Sequence, residues 1–214
     1  MKRRVVIAVT LAAFGVGAAR HLKVPTAARP STLPYYDSRD FTPRWKMVEH
    51  RVASFRLVDQ TDRPLTEKDL DGKIHVAGFL FAQCPNLCPT LVQKMKPVQE
   101  AIRGRGDVVM VSYTVTPLTD TPPVLAEFGR LRGTDPAHWR LLTGDLSEIQ
   151  RVMRDSYFAD DIRPIDGETQ SRRLHTEKVL LVDRDRRLRG IYNGTDAFEM
   201  ERLVEDITTL DRKR

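Results

Sequence analysis

Only two cysteines occur in the 214 residues, Cys84 and Cys88, and they stand four positions apart. Two close cysteines cannot build a disulfide framework, so they point instead to metal binding or catalysis. Aromatic residues are few, at 7%. No basic stripe with interleaved aromatics is found, so the formal net charge of +6 is not the footprint of a nucleic-acid binder. Lys and Arg are scattered among Asp and Glu, as on a solvated mixed-charge surface. No internal repeat and no low-complexity tract is present. The longest uncharged apolar run, residues 5–19, is about 15 residues long, short of the roughly 17–25 that span a membrane comfortably. With 41% apolar and 30% charged residues the remainder has the balance of a globular protein, not a disordered one.

What is present divides the chain in three. Met1, Lys2, Arg3 and Arg4 precede the apolar run, and Arg20 closes it. A basic start before a short apolar stretch reads as an export signal or membrane anchor over residues 1–22, with the basic end kept inside. Val16, Gly17 and Ala18 offer a small-residue cleavage site, and no cysteine follows that could carry a lipid. Residues 23–44 hold Pro25, Pro30, Pro34 and Pro43 and read as an extended linker without a core. The folded domain is expected over residues 45–214.

Within that domain, residues 52–58 alternate as a strand, with Val52, Phe55 and Leu57 apolar and Arg56 polar. Asp71 and Gly72 form a turn. Residues 74–81 are almost unbroken apolar sequence, the sign of a strand buried on both faces. Leu91, Met95, Val98 and Ile102 then fall at helical spacing. Residues 108–115 make a second buried strand, and residues 122–131 a helix with Thr121 as N-cap. Residues 139–142 suggest a short third strand. Asp145 or Ser147 can cap a helix reaching Tyr157. Residues 179–182 and 188–192 form two strands joined by a polar turn, and Asp196 can cap a last helix carrying Phe198, Leu203 and Ile207. Strands alternating with helices predict an α/β domain with a largely parallel sheet and an antiparallel edge.

The cysteines lie where the first buried strand ends and a helix begins, a usual place for sites in open α/β sheets. Free N–H groups and the positive end of the helix dipole favour thiolate there. Spacing of four puts both side chains on one face of the first turn. Such a pair can clamp a soft metal, with Cu(I) the leading candidate, or close a disulfide if the sulfurs approach. A static disulfide across so short a loop gains little stability. A third donor would be needed to hold Cu(II) as well. The candidates are His21, His50, His75, His138 and His175, and spacing alone does not choose among them. His75 reads as a half-buried edge residue of its strand.

Here the sequence resembles the Sco/SenC family, thioredoxin-fold copper chaperones of cytochrome c oxidase assembly. The resemblance covers roughly residues 52–207. Its strongest element is Phe79 and Phe81 followed by Cys84-Pro85-Asn86-Leu87-Cys88-Pro89. Ser112 to Pro117 with Asp120-Thr121-Pro122, Leu142-Thr143-Gly144 and Leu174-His175-Thr176 are similar to three further family segments. The resemblance implies a thioredoxin-like fold, a mixed sheet flanked by helices with an N-terminal strand extension and a C-terminal hairpin. It also implies that His175 is the third copper ligand beside Cys84 and Cys88. The chain departs from the family pattern at Asn86, Thr116 and Leu174, where acidic residues are usual, which implies less negative charge if these segments converge on the site.

The leading expectation is therefore an exported, membrane-tethered copper chaperone. Cys84 and Cys88 would hold Cu(I), and His175 would join them for Cu(II). Its client would be the copper-containing subunit of a respiratory oxidase or another cuproprotein. The alternative is a thiol–disulfide oxidoreductase that reduces a copper-site client, with Cys84 as the attacking thiol and Cys88 as the resolving one. A binding or sensor domain using the fold alone is the third reading.

Overall fold

The computed structural model describes residues 32–159 and 177–212. The cysteine pair lies in this part; His21, His175 and the N-terminal apolar run lie outside it. Seven strands form one sheet: β1 (Arg56–Asp59), β2 (Pro64–Thr66), β3 (Ile74–Leu80), β4 (Val108–Thr114), β5 (Trp139–Thr143), β6 (Lys178–Val182) and β7 (Leu188–Asn193), in the order β2-β1-β5-β4-β3-β6-β7. Four α-helices accompany them: α1 (Leu87–Ala101), α2 (Pro122–Arg132), α3 (Leu146–Tyr157) and α4 (Ala197–Asp211). Among these helices none is long and apolar enough to cross a membrane.

β3 and β4 are buried at every residue, because helices cover one face of the sheet and α3 with the segment before β1 covers the other. Alternation along the strands sorts the core. Ile74, Val76 and Leu80 join Val108, Met110, Val179 and Leu181 under α1, α2 and α4. Ala77, Phe79, Val111, Tyr113, Leu180 and Val182 pack on the opposite face with Ile149, Val152 and Tyr157 of α3. Only the β3–β4 and β4–β5 pairings are parallel. The other four are antiparallel, so the sheet is mixed, not largely parallel. Its fold is that of the thioredoxin-like class.

The first strand is shorter than its alternation suggests. Val52 and Phe55 are buried as expected, but the backbone before Arg56 pairs with no strand. The Phe55 N–H donates to the Glu67 carboxylate (3.0 Å), that of Ala53 to Ser156 Oγ (2.9 Å), and that of Arg56 to Glu148 (3.1 Å). Thr121 occupies the N-cap position of α2 without a side-chain bond. Asp145 and Asp196 do cap, accepting from the N–H groups of Glu148 and Phe198.

The proline-rich stretch differs most from expectation. From Thr32 it is not an extended linker but part of the packed body. Leu33 is buried in the core. Tyr35 exchanges backbone bonds with Arg44 (2.7 and 2.8 Å), and the Tyr36 N–H donates to the Leu188 carbonyl (3.1 Å) at the β7 edge. Arg189 holds this segment: it donates to the carbonyls of Pro34 (2.9 Å) and Leu33 (2.6 Å), pairs with Asp183 (2.9 Å) and stacks 3.8 Å from the Tyr35 ring centre. The carbonyls of an extended segment, unpaired within it, meet the donors of an edge strand. Because β6 runs antiparallel to β3 with His75 opposite Val182, Leu188 and this clamp lie at the end of the sheet remote from the cysteines.

Candidate metal and redox centre

β3 delivers the chain through Phe81, Ala82 and Gln83 to Cys84, and α1 starts at Leu87, so Cys88 sits in its first turn. Both cysteines are free and both are buried, at 3% exposure. The Cys84 N–H donates to the Phe81 carbonyl (3.2 Å). The Cys88 N–H donates to Cys84 Sγ at 3.2 Å, so the sulfur takes one of the N–H groups that a helix start leaves unpaired. The two cysteines are thus neighbours, but not on one helical turn as the spacing predicts: Cys84 precedes the Asn86 N-cap, and only Cys88 is in the helix. Burial pushes the Cys88 thiol pKa upward, and its neighbours Cys84 and Asp120 act in the same direction. Losing that proton is favourable only when something positive takes its place.

Asp120 is the site residue whose role sequence reasoning missed. It is fully buried. Its Oδ2 accepts from Thr114 Oγ1 (2.5 Å), Thr116 Oγ1 (3.0 Å) and the Ala82 N–H (3.0 Å), while Oδ1 has no partner. One carboxylate therefore ties the segment leading to Cys84 to the turn after β4. Thr116 does converge on the site, as the family pattern implies, and there it donates to a carboxylate that the chain retains. The signal was present as the Asp-Thr-Pro that follows the second buried strand. Beside this brace lies an open groove of about 410 Å³, lined by Phe81, Gln83, Pro85, Val115, Thr116 and Leu146 among others.

The other described histidines are not at the cysteines' disposal. His50 Nε2 lies 3.0 Å from the Ser156 carbonyl, and His138 Nε2 accepts the Gly104 N–H at 3.2 Å. His75 is no edge residue: it stands at the centre of the sheet between β4 and β6, fully buried, 3.3 Å from the Tyr157 hydroxyl. Among the described residues no group of three His, Cys, Asp or Glu side chains is arranged to hold a metal. Two soft sulfurs side by side at a helix start do suit a soft monovalent metal.

The SCO1/SenC family pattern matches residues 46–211. A SCO1 protein homolog of Bacillus subtilis is 26% identical over 162 residues, 75% of this chain and 82% of the relative. The crystal structure of a SCO1/SenC family lipoprotein from Bacillus anthracis superposes with a TM-score of 0.68 at 27% identity, covering 78% of this chain and 98% of that one. The structure of Bradyrhizobium japonicum ScoI with copper bound gives 0.61 at 26% identity, covering 75% and 99%.

Proposed function

The chain belongs to the SCO1/SenC family, and from that premise we propose that it binds copper through Cys84 and Cys88 and passes it to a copper-containing subunit of a respiratory oxidase or another cuproprotein. The observation that carries the proposal is the pair of unbridged, buried cysteines at the β3–α1 junction, Cys84 just before the helix and Cys88 in its first turn, with the Cys88 N–H aimed at Cys84 Sγ. Copper is the cargo here. Thiolate softness suits Cu(I), and a relative 26% identical to this chain has a structure with copper bound. Cys88 keeps its proton while the site is empty, since burial and the adjacent carboxylate disfavour a bare thiolate. Uptake of the ion exchanges that proton for a positive charge, and protonation on release returns the site to neutrality. His175 is assigned as the third donor for Cu(II) on the family resemblance alone. The basic start and apolar run of residues 1–22 support an exported domain held at the outer face of the membrane.

The test is a pair of titrations of the reduced protein, with Cu(I) against a competing chelator and with Cu(II) followed by absorption and electron paramagnetic resonance. Cys84→Ser and Cys88→Ser each abolish tight Cu(I) binding. His175→Ala weakens Cu(II) and spares Cu(I). Absence of binding in both titrations, or Cu(II) binding unchanged in His175→Ala, refutes the assignment.

The same free dithiol supports a second reading. Cys84 attacks a client disulfide, Cys88 resolves the mixed disulfide, and two electrons leave this chain as a Cys84–Cys88 disulfide forms. The groove beside Pro85 is where an extended client segment would lie. Exchange with an oxidised copper-site peptide much slower than with free dithiothreitol counts against it.

A further inference from the structure

The end of the domain remote from the cysteines carries a feature that copper handling does not use. Six consecutive residues, 42–47, are all exposed. Among them Trp45 is 61% and Met47 65% exposed. Single exposed apolar residues are ordinary, but Trp is seldom left in water, and its amphipathic ring favours the membrane–water interface. Arg44 and Lys46 flank Trp45. Arg44 is paired with Asp37 at 3.3 Å, whereas Lys46 makes no ion pair among the described residues. A cation whose aliphatic stem lies beside apolar side chains is the neighbour an interfacial Trp takes.

Position decides what this run faces. Arg44 is the backbone partner of Tyr35, so Trp45 sits next to the first packed residues of the domain. The chain reaches that point from residues 1–31. Between Arg20, which closes the apolar run, and Leu33, which is in the core, the chain spans at most about 45 Å. With residues 1–22 in a bilayer, the face bearing Trp45 is held within that distance of the lipid, at a high effective concentration.

We propose that Trp45 and Met47, with Lys46 beside them, form a membrane-docking face that seats this end of the domain on the lipid headgroup–acyl boundary. The inference rests on the membrane-anchored reading of residues 1–22. Trp139, the second tryptophan, is 1% exposed in the core, so intrinsic fluorescence separates the two.

The experiment uses the full chain reconstituted into vesicles of phosphatidylcholine with phosphatidylglycerol, with and without lipids brominated near the headgroup end of the acyl chain. Co-flotation with the vesicles is measured first. The expected result is co-flotation, with brominated lipid removing about a third or more of the tryptophan emission. That loss disappears in Trp45→Phe, in which only Trp139 emits. Co-flotation without quenching overturns the docking face while leaving the anchor standing, and reserves the pair for a protein partner. Quenching that persists in Trp45→Phe overturns it as well. A chain that does not float with the vesicles overturns both the anchor and the face. Copper stoichiometry in Trp45→Phe stays as in the parent, which shows that the variant is folded.

Discussion

Acidification should unfold this domain partly through one residue, His75, and the size of the effect follows from its surroundings. The imidazole is fully buried, and burial together with the Arg186 guanidinium lowers its pKa from 6.5 to about 3. Below pH 6.5 the unfolded chain takes a proton that the folded chain refuses. The sign is therefore fixed: the contribution is intact above 6.5 and is lost as pH falls toward 3. Each unit is worth about 1.4 kcal/mol. At pH 4.5 the loss is about 3 kcal/mol, and it reaches about 4–5 kcal/mol at pH 3 and below. His75→Gln keeps a hydrogen-bonding group near the Tyr157 hydroxyl but does not titrate. It is expected to cost about 1–2 kcal/mol at pH 7.5 through lost packing. Between pH 7.5 and 4.5 it should then lose about 3 kcal/mol less than the parent, because all other titrating groups are common to both. Urea denaturation followed by circular dichroism at the two pH values measures this. Equal pH-dependence in parent and variant would falsify the claim that a neutral His75 is required by the fold.

Three further variants test the brace and the clamp. Asp120→Asn can keep the three hydrogen bonds to Oδ2 and remove the carboxylate charge, so the Cys88 thiol should titrate lower than in the parent, read from thiolate absorbance at 240 nm. Asp120→Ala leaves Ala82, Thr114 and Thr116 without their acceptor and should cost about 2–4 kcal/mol in denaturant unfolding. Arg189→Ala removes the donors to Leu33 and Pro34 and leaves Asp183 without a buried partner; it should cost about 3–5 kcal/mol and open residues 32–44 to limited proteolysis.

Much of this architecture was legible because it depends on neighbours in sequence. The run ending at Phe81 announces a strand with both faces covered, and Asp145 and Asp196 announce helix starts by chemistry that acts two or three residues on. The cysteine pair was legible for the same reason: its spacing and its place after a strand put the two side by side at the helix start. What was not legible depends on distant partners. His75 looks like an edge residue until β6, about a hundred residues later, pairs beside it. Asp120 becomes a brace only when the turn after β4 meets Ala82. β2 is too short to display any period. The prolines announce a linker, but the donors that pin it down belong to Arg189 at the far end of the chain.

That separation has a consequence for how the chain matures. The bonds from Arg189 to Pro34 and Leu33 join residues 155 and 156 positions apart. Contacts of such long range form late. A chain threaded out N-terminus first presents residues 33–44 to solvent well before the strand that fastens them has emerged. The clamp cannot close until Arg189 of β7 is available to it. In pulsed hydrogen exchange during refolding, the amide of Tyr36, which donates to the Leu188 carbonyl, should gain protection after those of β3 and β4.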